Sequence, residues 1–459
     1  MQGEDTIAAI ATPLGEGGLA VIRISGPEAL SVADGCFQLA GRALDKLSNA
    51  ASHTIHFGHV KHSGSGAVID EALAAVMRQP RTFTREDVVE ITCHGGVLAA
   101  KMVLDAVLLS GARMAEPGEF TRRAFLNGRI DLAQAEAVAD LIHARTELSL
   151  RAASEQLAGH LSRRVNELRD SLMKVLAHVE AHIDFPDEDI APDTRDQLSA
   201  RMGEAIETMD SLLATANEGQ VLRCGIRGAI IGRPNAGKSS LLNRLLGHDR
   251  AIVSPVPGTT RDTIEETANI RGIPVIFIDT AGLREGGDAI EIEGIKRSRQ
   301  SLERAEFIIH VLDGSECFAE ADRKYLKEFE SKKRLLVLNK ADLPKKMEIS
   351  ESRVEELIPV SCVTGAGIET LKDAIKRLAW SGEIRADMLE VMINSRHQDA
   401  LQRARENLAR ARAALNEAVS VDLVAVDLKI AVDAVGEIVG KTTTEDLLDV
   451  IFSQFCIGK

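Results

Sequence analysis

The spacing of apolar residues changes along the chain. Up to about residue 120 they come in short runs broken by turns, TIAAIATP, LAVIRISGP and VVEIT before HGG, with helix-like ALSVADGCF and VLAAKMVLDAVLLSG between them. That alternation predicts an α+β domain. From Arg123 to Phe185 there is no proline, and Leu157, Leu161, Val165, Leu168, Leu172, Val175 and Val179 recur at spacings of three and four. Such spacing predicts long amphipathic helices. Between about 219 and 380 the runs GAIIG, PVIFID, FIIHVLD, RLLVLN and LIPVS alternate with helical stretches, the signature of a doubly wound α/β domain. After Trp380 the chain again lacks proline and reads helical, ending in a helix EDLLDVIFSQF opened by Thr444. The expected fold is therefore multidomain α/β. An N-terminal α+β domain covers 1–120, the first half of a helical domain 121–218, an inserted α/β domain 219–380, and the second helical half 381–459. Two separate helical domains are the plainer alternative.

Composition narrows the class. With 45% apolar and 27% charged residues the chain has material for several cores, which excludes disorder and fibrous folds. The net charge of −14 repels polyanions, so any nucleic-acid contact requires a local basic patch. Aromatic residues are few (12 Phe, one Tyr, one Trp), so RNA contacts should fall mainly to Arg and Lys. Cysteines 36, 93, 224, 317, 362 and 456 show no metal-ligand spacing; Cys36, Cys93, Cys224 and Cys317 read as small core residues. Glu4 and Asp5 stand where a signal peptide carries basic residues, and no apolar run reaches the roughly 18 residues of a membrane span. A cytoplasmic protein without membrane contact is expected.

Candidate chemistry is concentrated in the α/β region. GRPNAGKSS after GAII fits G-x-x-x-x-G-K-[ST], with a helix following. In that arrangement the backbone from Asn235 and Ala236 through Gly237 to Ser240 cradles phosphates, Lys238 reaches the outer ones, and the Ser239 hydroxyl ligates Mg²⁺. DTAG (Asp279, Thr280, Ala281, Gly282) follows the strand PVIFI and supplies an acid for the metal shell and an N–H for the γ-phosphate. In NKAD (Asn339, Lys340, Asp342) the carboxylate accepts the N1 and N2 protons of guanine, an edge adenine lacks, so GTP is favoured. Ser361 and Cys362 back the base, and PGTTRD offers Thr260 to Mg²⁺ from a switch loop. Leu283 stands where Ras-like enzymes carry the water-orienting Gln; Glu285, Asp288, Glu291 and Glu293 are the nearby candidates to replace it.

A Ras-like GTPase unit of this kind, set between helical flanks in a chain that ends FCIGK and contains DVVEITCHGG and PGEFTRRAFLNGRIDLAQAEAVADLI, is similar to the MnmE (also called TrmE) family of tRNA-modifying GTPases over its whole length. The resemblance implies a homodimer through the N-terminal domains and a pocket for 5,10-methylene- or 5-formyl-tetrahydrofolate at Arg23, Glu90, Arg129 and Lys459. It implies a heterotetramer with the FAD-binding partner MnmG, which adds a carboxymethylaminomethyl-type group to C5 of the wobble uridine of certain tRNAs. It also implies K⁺ activation through Asn235, Ser254, Val256 and Thr259, selects Glu291 as the water-orienting acid, and carries over Cys456 as a functional thiol. Glu16 in PLGEGG stands where many members have a basic residue.

The competing reading is a regulatory or ribosome-assembly GTPase of the Era or Der type. That class carries a KH module or a second GTPase unit. GKS occurs once, and no G-x-x-G in a basic helix pair follows Trp380.

Overall fold

The structure is a computed structural model that describes residues 5–41, 45–62, 64–184, 192–247, 266–278, 303–329, 332–347, 357–380, 386–417 and 421–459. The chain divides into two compact units. One comprises Met1–Ala139, Val165–Asp170 and Val432–Lys459, the other Asp140–Arg164 and Ser171–Ala431.

The first unit is built on a seven-stranded sheet: β1 (Ile7–Ile10), β2 (Leu19–Ser25), β3 (Phe37–Leu39), β4 (Thr54–Lys61), β5 (Val68–Met77), β6 (Val88–His94) and β7 (Arg113–Met114), in the order β3-β4-β5-β6-β2-β1-β7. Neighbours are antiparallel except β1 with β7. Because side chains alternate faces along a strand, Ala20, Ile22 and Ile24 of β2 and Val89, Ile91 and Cys93 of β6 all enter one core. The helices α1 (Ala29–Cys36) and α2 (Val97–Leu109) contribute Val32, Val103, Leu104 and Val107 to it. The intervening residues Val21, Arg23, Glu90 and Thr92 share the opposite face, where Arg23 and Glu90 are direct cross-strand partners.

The C-terminal helix Glu445–Phe452 is capped by the Thr444 hydroxyl, which accepts a hydrogen bond from Leu447 N at 3.4 Å. It buries Leu448, Ile451 and Phe452 against Leu132, Ala135 and Ala139.

In the second unit the six strands are β8 (Ile226–Ile231), β9 (Glu266–Ile270), β10 (Ile273–Phe277), β11 (Phe307–Asp313), β12 (Lys333–Asn339) and β13 (Leu357–Pro359), in the order β13-β12-β11-β8-β10-β9. Among the described strands only β9 runs antiparallel to its neighbour. Every residue of β10 and β11 is buried, as expected for central strands of a largely parallel sheet covered on both faces. The chain leaves β8 to form β10 on one side and β11 on the other, which makes the carboxyl end of β8 a topological switch point.

The flanking helices Pro192–Leu213 and Ser395–Asn416 pack along each other, tied by Arg405 Nε to Asp210 Oδ1 at 2.5 Å and by Arg412 Nε to Ser199 Oγ at 3.2 Å. The apolar stripe 157–179 is divided: Leu157 ends the helix Glu147–Leu157, and after Gly159 a second helix, His160–Asp184, buries the remaining positions. Two expectations need correction: Cys224 and Cys317 are exposed, while Cys36 and Cys93 are buried. Cys224 ends the helix Ala216–Cys224 and Cys317 lies between β11 and the next helix, positions where an apolar neighbour was not needed. Among the described residues no helix is long and apolar enough to cross a membrane.

Candidate active site

Three loops meet at the carboxyl ends of β8, β12 and β13. The first runs from Gly232 into the helix Lys238–Leu246. Asn235 is exposed and left-handed (φ 63°), and Gly237 is left-handed at φ 94°. A side chain at Gly237 would collide with the Asn339 amide, so only glycine lets the loop lie close to β12. That amide nitrogen donates to Ala236 O at 2.8 Å, which binds the end of β12 to the loop before the helix Lys238–Leu246. Lys238 Nζ donates to Gly232 O at 3.0 Å and Arg233 O at 2.8 Å, and burial pushes its pKa down. An ammonium held on two carbonyls, partly desolvated and at a helix N-terminus, fits an incoming phosphate anion. Ser239 and Ser240 occupy the first turn of that helix.

Asn339 is buried at the end of β12, and Lys340 follows in a left-handed conformation (φ 63°). Lys340 Nζ donates to Asp313 Oδ2 at 2.6 Å. Burial works to raise the Asp313 pKa, but hydrogen bonds from Lys340 and Ser315 outweigh it and hold the carboxyl below its usual range. The Ser361 hydroxyl donates to Asp342 Oδ1 at 2.6 Å and accepts from Thr364 N at 3.1 Å. Ser361 thus orients the Asp342 carboxylate. Cys362 is half-buried, and burial raises its thiol pKa.

Sequence reasoning missed Arg244, whose Nε and Nη2 donate to Cys362 O at 2.7 Å and Val363 O at 2.8 Å. It fastens the base loop to the helix that begins at the phosphate loop. No local motif signals it, since its partners are backbone atoms more than a hundred residues away. Ser254, Val256, Thr259, Thr260, Asp279, Thr280, Ala281, Gly282, Leu283, Glu285, Asp288, Glu291 and Glu293 lie outside the described residues.

A second polar site forms in the first unit. Arg23 Nε donates to Glu90 Oε1 at 2.8 Å, its Nη1 donates to Gly458 O at 3.3 Å, and its guanidinium carbon lies 5.6 Å from the Phe120 ring centre. The tail is held along its backbone as well: Ile457 bridges Pro117, Gly118 N donates to Cys456 O at 3.4 Å, and Phe120 N donates to Lys459 O at 3.2 Å. Gly458 is left-handed (φ 95°) and pressed on Ile10 O, so a side chain there would collide. Cys456 is exposed and Lys459 half-buried. Arg129 is exposed in the turn after Asn127 and is not drawn to Arg23 by any described hydrogen bond or ion pair. On the core side of the same sheet, a cavity of about 310 Å³ lined by Ile10, Thr12, Glu16, Gly95 and Val97 contains none of the four expected folate residues.

A sheet with one antiparallel edge strand, a phosphate loop at its switch point and an Asn-Lys-x-Asp segment beside it defines a P-loop GTPase. The family description "GTP-binding protein TrmE N-terminus" matches residues 6–129 and "MnmE helical domain" matches 132–456. Proteins named tRNA modification GTPase MnmE from Geobacillus kaustophilus (strain HTA426) and Geobacter metallireducens are 46% and 47% identical to this chain, covering 99% of both sequences in each case. The protein of that name from Bacillus subtilis (strain 168) is 45% identical over 99% of this chain and 100% of its own. The chain belongs to the MnmE (TrmE) family of tRNA modification GTPases, and it is a GTP-hydrolysing enzyme.

Proposed function

We propose that the chain couples GTP hydrolysis to tRNA modification. With a FAD-binding partner of the MnmG kind it adds a carboxymethylaminomethyl-type group to C5 of the wobble uridine, in a heterotetramer assembled on a homodimer of its N-terminal domains. The domain plan is the α+β region 1–120, helical halves 121–218 and 381–459, and the GTPase region 219–380.

In the GTPase region, Lys238 leaves its two loop carbonyls for the outer phosphates, and Asp342, aligned by Ser361, accepts the guanine N–H groups. Ser239 and Thr260 hold Mg²⁺, which offsets phosphate charge. Asn235, Ser254, Val256 and Thr259 would hold K⁺, which would supply positive charge against the developing charge on the phosphates. All these donors are oxygen atoms, the hard ligands such cations take. Glu291 orients the attacking water in place of the apolar Leu283.

In the first unit, Arg23, Glu90, Arg129 and Lys459 bind the tetrahydrofolate, which supplies the one-carbon unit, and Cys456 brings a thiol to it. A cation paired to a carboxylate on the face of the sheet away from the main core, beside the docked Lys459, suits a ligand that carries both amide-like donors and carboxylates. The observation that carries this reading is the Arg23 bridge joining Glu90 to Gly458.

The experiment is deletion of residues 456–459. Folate affinity should fall at least tenfold and modification should stop, while GTP turnover persists because the GTPase sheet has its own core. Full modification by the deleted protein, with its partner supplied, would remove the tail from the site.

A further inference from the structure

Between β5 and β6 the chain runs Arg78-Gln-Pro-Arg-Thr-Phe-Thr-Arg-Glu-Asp87. Along it Arg81, Phe83 and Arg85 are exposed, while Thr82 and Thr84 are buried. The inward threonines anchor the loop. Thr82 Oγ1 donates to Glu86 O at 2.7 Å, the Thr84 and Ser25 hydroxyls share a 2.7 Å hydrogen bond, and Asn127 Nδ2 donates to Thr84 O at 2.7 Å.

The two acids of the segment are also turned to the fold. Glu86 accepts from Ser25 Oγ at 2.7 Å and pairs with Arg123 at 3.2 Å, and Asp87 Oδ1 accepts from Gln79 N at 2.9 Å. Arg85, left-handed at φ 58°, donates one hydrogen bond to Asn127 O at 2.9 Å. Neither Arg81 nor Arg85 makes an ion pair among the described residues. In a chain of net charge −14, the loop therefore holds two guanidiniums outward with an aromatic ring between them and its carboxylates inward.

We propose that Arg81, Phe83 and Arg85 form a contact surface for an unpaired stretch of RNA, the guanidiniums meeting successive phosphates and Phe83 stacking on a base. The proposal rests on the tRNA reading above and names residues that touch that substrate. Single-stranded nucleic acid is recognised by this pairing of backbone charge with a stacking ring. The three side chains stand on an exposed loop rather than in a concavity of the kind that encloses a small molecule. The anchoring by Thr82, Thr84 and Asn127 presets the spacing, which lowers the ordering cost of binding.

The test uses the full-length chain, a fluorescent anticodon stem-loop RNA, and a blunt RNA duplex of the same length, with anisotropy read across a salt series. Arg81→Ala with Arg85→Asn, asparagine being tolerated at a left-handed position, should weaken stem-loop binding about tenfold or more. It should also lower the slope of log affinity against log salt by about 1.4, the value for two lost single-strand phosphate contacts. Phe83→Ala should weaken the stem-loop about tenfold and leave the duplex unchanged. Arg81→Glu alone, which keeps the Arg85 contact to Asn127, must weaken binding as well. GTP turnover and melting temperature should stay at the parent values.

Unchanged affinity and slope in the double variant overturn the proposal, as does an equal loss on duplex and stem-loop. A folate is also anionic and aromatic, so folate affinity is measured in parallel; a loss there with RNA binding intact assigns the loop to the folate and overturns the proposal. Failure of the parent chain to bind either RNA sinks the tRNA reading itself, and the loop's role with it.

Discussion

The nucleotide site and the tail site are assembled in opposite ways. Gly232–Ser239, Asn339–Asp342 and Ser361–Cys362 each lie at or just past the end of their own strand, and the parallel register of β8, β11, β12 and β13 brings these ends together. The tail site joins Arg23 to Glu90, 67 residues on, and to Gly458, 435 residues on. In the first case the chemistry is mostly backbone geometry at strand ends, which short motifs specify. In the second it is side-chain pairing between remote segments, which depends on sheet register and on where the last helix packs. Lesions in the first site should therefore act first on nucleotide and leave folate affinity unchanged, and lesions in the second should leave nucleotide handling untouched.

The largest effect tests that separation at the base. Asp342→Asn should lower GTP affinity by about 10³-fold or more, because a site built to accept guanine N–H groups is left mispaired. It should gain affinity for xanthosine triphosphate, and titration with both nucleotides checks it. Unchanged GTP affinity would remove Asp342 from the base site.

Next comes a strand residue that serves no ligand. His310 is fully buried in β11, neither ring nitrogen has a described hydrogen-bond partner, and burial with the nearby Arg334 charge pushes its pKa down to about 4. The folded state thus holds the ring neutral, whereas the unfolded chain takes up a proton near pH 6.5. Stability from this residue is present above about pH 6.5 and is lost as pH falls toward 4. Between pH 7 and 5 the loss should be about 2 kcal/mol. His310→Leu should flatten that dependence in urea titrations of the GTPase unit; an unaltered pH profile would mean the ring is solvated.

A smaller effect is expected from Arg23→Ala, which leaves Glu90 unpaired and frees Gly458 O. Folate affinity should drop about tenfold, the scale of a lost charged hydrogen bond, with GTP turnover unchanged. Loss of both activities together would erase the distinction between the sites. The smallest effect is Ser361→Ala: removing the hydroxyl that orients Asp342 should weaken GTP binding about fivefold, near 1 kcal/mol, without moving the melting temperature appreciably. A drop as large as that of Asp342→Asn would make Ser361 a direct base contact.

Several parts of the fold could not be read locally. The strands β4 and β5 carry TIHFGHVK and VIDEALAAVM, the second rich in alanine and leucine, which favour helix when nothing else decides. Pairing with β6 overrides that preference and buries Ala72, Ala74 and Val76 on alternate positions. The long apolar stripe gives no sign that Ala158 and Gly159 interrupt it, because spacing by three and four continues through the break. The exposure of Cys224 and Cys317 follows from their places at a helix end and in a loop, which residue type alone does not convey.

By itself the sequence determined the GTPase class: the order of strands and loops, the glycines that the phosphate loop requires, and the Asn-Lys-x-Asp segment. Those properties reside in a few consecutive residues whose backbone conformation is locally encoded. Only the tertiary structure decided that Ser361 aligns Asp342, that Arg244 binds the base loop to the phosphate-loop helix, that Arg23 spans Glu90 and the tail, and that Arg81, Phe83 and Arg85 face outward together. Each is a contact between segments far apart in the chain or a choice of face, and both are set by register and packing, which no short stretch of sequence contains.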